Sequence, residues 1–293
     1  MHNTADNELQ TTTIPKTIHY CWLSDEKMTS DTIKCIRSWK RCMPEYEFVL
    51  WDGQKFDIDS HIFVKEACQA KKWAFASDYI RLYALHTCGG IYLDTDVYVL
   101  KSFNDLLENG FFSAIEFYKE NAGKNIEFIN EDGSLKKLSA SAFADETRSQ
   151  TTLTGCINGL QIQAAMMGGV KGHPFLRACL DWYDGKHFIL EDGTCLDNII
   201  SPEIYAHIAT GYGFRYKNEL QKLKYNMTVY PYTVLAGNVE QAAEDTYAVH
   251  LGRGSWRNRS LAARIILSLK RNPIVRRLFA HTKSSEKYNR LIR

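Results

Sequence analysis

No run in this 293-residue chain approaches the roughly 18 consecutive apolar residues of a membrane-spanning helix, which excludes a fold built from such helices. None of the eight cysteines (21, 35, 42, 68, 88, 156, 179 and 195) forms a C-x-x-C pair, and most sit inside apolar runs. Reduced core thiols are therefore expected, not disulfides or a zinc site. The first thirteen residues lack both a basic n-region and an apolar h-region, so residues 1–13 are expected to be a disordered lead-in and not a signal peptide. Internal repeats and low-complexity segments are absent too. What is left is a composition ordinary for an enzyme, with 45% hydrophobic and 24% charged residues.

The net charge of +2 conceals an asymmetry. From Arg253 onward there are twelve Lys/Arg and one acid, Glu286, leaving 24 basic and 33 acidic residues in the body. The tail is thus a separate electrostatic region. Its segment 261–293 places Leu261, Ile265, Leu269, Ile274, Val275 and Leu278 at near-helical spacing, broken by Pro273, with Lys and Arg elsewhere. That pattern suits an interfacial anchor on anionic lipid. No recognition motif accompanies the charge, so nucleic acid is not the expected partner.

Along the chain, strand and helix patterns alternate. IPKTIHYCWL (14–23) reads as a first strand, and SDTIKCIRSWKRCM (30–43) as a helix with Ile33, Ile36 and Trp39 on one face before Pro44. YEFVLWD (46–52) reads as a second strand. Two helical stretches follow, the second carrying Ala76, Tyr79, Ile80, Tyr83 and Ala84 as an apolar stripe and ending at Gly89-Gly90. GGIYLDTDVYVL (89–100) then reads as a buried third strand. This order predicts an α/β fold with a mostly parallel sheet, in which ligands bind at the carboxyl ends of strands. Residues 113–155 read as a polar surface excursion, LQIQAAMMGGV (160–170) as one further strand, and HPFLRACLDWY (173–183) as a helix with Pro174 in its first turn.

Two carboxylates in an apolar strand are costly unless paired or bound to metal. Asp94 and Asp96 share a face if the strand is regular, and fan around a point in front of its end if it breaks after Asp94. Either way they offer hard oxygen ligands to a divalent cation. Asp78 and Arg81, at i and i+3, are helix neighbours on the face opposite the apolar stripe. They form either a surface ion pair or an acid and a fixed guanidinium at the same sheet edge. Trp22 closes the first strand at that edge, as core or as a flat face for a base. His250 precedes LGRGSW (251–256), a glycine-flanked loop suited to motion.

Together, IPKTIHYCW, AFASDYIRLYALHTCGGIYLDTDVYVL and AVHLGRGSW resemble glycosyltransferase family 32, the sugar transferases with a DXD motif, including bacterial capsular-polysaccharide enzymes. They look more distantly like the glucosylating domains of clostridial toxins. The resemblance spans residues 14–256. It implies a GT-A fold (Rossmann-like, nucleotide-sugar-binding) with an acceptor-side lobe as the catalytic domain 14–256, followed by the basic tail 257–293. It also implies a nucleotide-sugar donor, UDP-linked by family habit, Mn²⁺ or Mg²⁺, and retention of anomeric configuration. On these positions, Trp22 would stack on the base, Asp78 and Arg81 would hold the donor sugar, and Tyr92 would line the ribose side. Asp94 would contact ribose, sugar or metal-bound water, Asp96 would ligate the metal, and His250 would be the C-terminal ligand. Ser255 and Trp256 would close over the diphosphate, in a loop where the family usually has a small or aromatic residue in place of Arg253. Asp197 and Asn198 fall in the acceptor-side segment.

A glycan acceptor is implied, lipid-linked if the tail holds the protein at the cytoplasmic face of a membrane. No further carboxylate placed to act as a nucleophile is evident, so direct front-face attack is expected. Two rival readings exist: a haloacid-dehalogenase-type phosphatase with Asp94 as nucleophile, and a non-enzymatic metal-dependent carbohydrate-binding module. The phosphatase motif normally lies on the first strand of its domain, and it leaves IPKTIHYCW and HLGRGSW unexplained.

Overall fold

The computed structural model describes residues 13–136 and 156–252. The expectations for 1–12, for residues 137–155 of the excursion and for everything from Arg253 onward lie outside those residues. The chain opens with β1 (Thr17–Cys21), α1 (Ser30–Cys42), β2 (Glu47–Trp51), α2 (Ile62–Gln69), α3 (Trp73–Cys88), β3 (Gly90–Leu93) and β4 (Val97–Val99). It continues with β5 (Phe111–Phe117), α4 (Lys119–Asn125), β6 (Leu160–Ile162), β7 (Met166–Gly169), α5 (Pro174–Asp181) and α6 (Ser201–Ala209). It closes with β8 (Gln221–Leu223), β9 (Met227–Tyr230), β10 (Leu235–Ala236) and β11 (Ala248–His250).

The main sheet runs β2-β1-β3-β7-β5-β9-β8, with β6 added against β5. β2, β1, β3, β5 and β9 point one way, while β7 and β8 run against them. The sheet is therefore mostly parallel, and the architecture is of the α/β class expected. Side chains alternate across it: Tyr92 enters one core, with α2, α3, α5 and α6, and Ile91 and Leu93 enter the other, with Trp39 of α1.

Several expectations need correction. The stretch 160–170 is two strands, because β6 pairs only with β5 while β7 inserts between β3 and β5. The start of the predicted excursion is buried strand, since Ser113, Ala114 and Ile115 of β5 are fully covered. On α1, Trp39 faces inward as expected, but Ile33 is 39% exposed, and Thr32, Cys35 and Ser38 complete the buried face instead. The run 89–100 is not one strand. β3 ends at Leu93, and β4 leaves for a second, small sheet, β10-β11-β4. Of the eight cysteines, Cys21, Cys35 and Cys179 are core residues, Cys42, Cys68, Cys156 and Cys195 are half-buried, and Cys88 is exposed, so the core expectation holds for three of them.

α1 is docked directly on β4. The Trp39 indole N–H donates to the Val97 carbonyl at 2.8 Å, and the Val99 amide donates to Ser38 Oγ at 2.9 Å. Gly89-Gly90 makes the sharp entry into β3, and Gly90 adopts φ 118° with the Thr17 carbonyl 2.7 Å from where a Cβ would stand. Only glycine fits such a position without strain.

Candidate active site

Five parallel strands end at one edge of the main sheet, and the candidate residues gather there. Between β3 and β4 the chain turns tightly: the Val97 amide donates to the Asp94 carbonyl at 2.9 Å. The Asp94 amide donates to the Ala165 carbonyl, also at 2.9 Å, pinning the turn to the residue before β7. The strand break thus makes the two carboxylates fan in front of the sheet instead of sharing a strand face.

His250 arrives from far along the sequence by strand register. β11 runs antiparallel to β4 with His250 opposite Val97, and the Leu251 amide donates to the Asp96 carbonyl at 3.0 Å. His250 Nε2 consequently lies 3.1 Å from Asp96 Oδ1. Asp94, Asp96 and His250 each offer a ligand atom, all within 4.8 Å of one another. Two carboxylate oxygens and one imidazole nitrogen, each partly open to solvent, fit Mn²⁺ or Mg²⁺ with water and phosphate oxygens filling the shell. The local field agrees. Burial opposes charging His250, but Asp96, Asp94 and Glu116 outweigh it and lift the imidazole to about 9. The cluster therefore attracts positive charge.

Arg81 is not a surface residue. α3 is apolar almost all round, with Phe75, Ala76, Ile80, Leu82, Ala84 and Leu85 buried, so the side opposite the predicted stripe is covered too. The Arg81 side chain is only 4% exposed and meets Asp78 Oδ1 at 2.9 Å and Asp94 Oδ1 at 3.3 Å. It also donates from Nε to the Ser77 carbonyl and from Nη1 to the Ala164 carbonyl. The surface-pair alternative is thereby removed. Burial pushes the Asp78 carboxyl up to about 6 against the pull of Arg81, and raises Asp94 by the same balance.

A cavity of about 100 Å³ opens beside this triad, lined by Asp78, Arg81, Asp94 and His250 and also by Glu116, Gln163 and Ser201. The last three escaped the sequence reading. Glu116 is a further carboxylate on the cavity wall, beyond the DXD pair. It follows the buried apolar run of β5 as Asp94 follows that of β3, and that shared pattern was the available signal. Ser201 opens α6 beside Asp78, and Gln163 precedes Ala164, which holds Arg81; neither carries a recognisable motif.

The remaining predicted residues are placed as follows. Trp22 stands just past β1, half-buried, with its indole N–H donating to the Glu26 carbonyl at 2.8 Å. It shares the sheet edge but does not line the cavity. Tyr92 is 1% exposed, with the Arg81 guanidinium 4.8 Å over its ring. Its hydroxyl bonds to Cys21 and Asp94, so it supports the site from beneath. Asp197 binds Lys72, at the head of α3, at 2.7 Å. Ser255 and Trp256 lie outside the described residues.

Residues 29–112 match the family model described as a glycosyltransferase sugar-binding region containing a DXD motif. That segment holds Asp78, Arg81, Tyr92, Asp94 and Asp96. Among solved structures, the chain is similar to the PaToxG glycosyltransferase, at 15% identity and a TM-score of 0.43, over 68% of this chain and 70% of that one. It is similar to the galactosyltransferase LgtC, solved with donor and acceptor sugar analogues, at 12% identity and a TM-score of 0.43, over 94% and 95% of the two chains. A glycosyltransferase involved in the glycosylation of the major capsid of PBCV-1 overlaps at 14% identity and a TM-score of 0.38, over 82% and 94%. No curated protein matches the chain. The matched segment and the site it builds support a glycosyltransferase of the DXD type.

Proposed function

We propose that the protein is a metal-dependent, retaining hexosyltransferase that moves a sugar from a UDP-linked donor to a glycan acceptor in surface-polysaccharide synthesis. The observation that carries this reading is the convergence of Asp94, Asp96 and His250 on one point beside the Asp78–Arg81 pair. Asp96 and His250, with Asp94, would hold the cation. When bound, such a cation supplies Lewis-acid stabilisation for charge on a departing diphosphate.

The chain's own residues do the rest. Arg81 keeps Asp78 and Asp94 charged inside a half-closed cavity, where fixed dipoles and charges act more strongly than in water. Asp78 and Asp94 accept hydroxyls of the donor and orient its sugar. The acceptor hydroxyl attacks from the face the diphosphate leaves, and the leaving phosphate takes its proton. A glycosyl adduct trapped on Glu116 and found by mass spectrometry would replace this route with a covalent one.

The test is donor turnover. Incubation with a panel of nucleotide sugars and Mn²⁺ should release nucleoside diphosphate, and Asp96→Asn should not. No release from any donor would sink the reading. The basic tail, in the same reading, holds the enzyme on the inner face of an anionic membrane next to a lipid-linked acceptor. Among the described residues no helix is long and apolar enough to cross a membrane.

A further inference from the structure

The cavity wall is rich in hydrogen-bond acceptors. Asp78, Asp94 and Glu116 contribute carboxylates, and Gln163 stands among them. The Gln163 carboxamide has a fixed sense. Its nitrogen donates to the Leu235 carbonyl at 2.6 Å, and a carbonyl only accepts, so the oxygen must face the other way. In a side chain 3% exposed, that oxygen has no hydrogen-bond partner among the described residues. A buried acceptor without a donor is unfavourable, so this wall suits a guest that brings donors of its own.

Among the described residues, the cations at the wall are already engaged. Arg81 spends its donors on Ser77, Ala164, Asp78 and Asp94. His250 is turned to Asp96. Asp78 and Glu116 stand outside the three-residue cation group. Glu116 is also steadied in place, since the Tyr118 hydroxyl donates to its Oε1 at 2.9 Å. A sugar hydroxyl meeting this wall finds acceptors. A sugar carboxylate meeting it finds like charge, which is how a site rejects a close relative of its substrate.

Resting on the transferase reading, we propose that this cavity is a sugar subsite selective for uncharged, hydroxyl-rich hexoses, and that Glu116 is the residue that excludes uronic-acid donors. Removing Asp78 or Asp94 would strand Arg81, so Glu116 is the carboxylate at which the charge can be changed cleanly.

The experiment compares matched donors that differ only at the sugar carboxylate: UDP-glucose with UDP-glucuronate, UDP-galactose with UDP-galacturonate, and GDP-mannose with GDP-mannuronate. The readout is the ratio of kcat/KM values within one pair, from nucleoside diphosphate release. The wild-type protein should favour the neutral member by about a hundredfold or more, Glu116→Gln should narrow that ratio by about tenfold, and Glu116→Asp should largely keep it. Because the ratio is internal to each preparation, partial misfolding cannot imitate the effect. A wild-type ratio near one, or turnover of uronates alone, overturns the proposal and leaves the transferase reading standing. An unchanged ratio in Glu116→Gln removes Glu116 as the determinant. Release from no donor overturns both readings together.

Discussion

His250 Nε2 sits 3.1 Å from Asp96 Oδ1 because β11 lies antiparallel to β4, although most of the chain separates the two residues. The contact is set by backbone register, so either side chain can be changed without disturbing how the other is presented. His250→Ala and Asp96→Asn should each weaken Mn²⁺ binding by about a hundredfold or more, which is the upper end for losing a residue that merely supports a ligand. Calorimetric titration of the metal checks this. Unchanged affinity in both variants would remove the cation site.

Arg81 makes a different prediction because it is buried. Arg81→Ala leaves Asp78 and Asp94 facing each other in a covered site, and breaking a buried pair in this way costs about 3–5 kcal/mol. Arg81→Lys keeps the charge but loses the planar fork that reaches Ala164, Asp78 and Asp94 together, and should cost less. Urea denaturation of both variants orders the two losses.

Gly90 tests the entry to the site-bearing strand. Gly90→Ala would press a methyl against the Thr17 carbonyl while holding φ at 118°. The expected loss is about 2 kcal/mol or more, seen as a lowered Tm. A Tm equal to wild type would show that β1 and β3 can separate to make room.

His173 sets part of the acid limit of stability. It caps α5, accepting the Phe175 amide at Nδ1, while Nε2 faces the Tyr225 carbonyl at 3.0 Å. Burial, partly opposed by the Tyr225 bond, lowers its pKa from 6.5 to about 4. Below pH 6.5 the unfolded chain takes a proton that the folded His173 refuses. Stability should therefore be full above about 6.5 and fall towards pH 4, by about 3 kcal/mol from this group at most. His173→Asn, still a competent cap, should flatten that limb in chemical denaturation measured across pH.

The tail can be tested apart from the site. Deleting residues 261–293 should leave donor hydrolysis largely intact and abolish sedimentation with phosphatidylserine vesicles. Vesicle binding that survives the deletion removes the lipid-anchor reading.

Much of the site was legible because its residues break a local rule. Asp94 and Asp96 are charges in an apolar run, and Asp78 with Arg81 is an ion pair at helical spacing. Arg81's depth was not legible, since burial on the far side of α3 comes from α5 and α6, which lie about a hundred residues later. The break after Leu93 was open for a similar reason: the hydrophobic pattern runs on through Val99, and only the pairing of β4 with β11 shows that the strand changes sheets. Glu116 was missed because β5 was read as the beginning of a loop. Its apolar stretch, FFSAI, ends in the same kind of charge that drew attention to Asp94.

Where the chain passes from β3 to β4 it crosses from one sheet to the other, and the proposed cation ligands straddle that crossing. Asp94 is fixed to the large sheet through Ala165, while Asp96 and His250 belong to the small sheet that α1 grips through Trp39 and Ser38. The cation site therefore works as a caliper, with one jaw on each sheet. Its ligand spacing measures how the small sheet is seated, and side chains far from any sugar can set the gap.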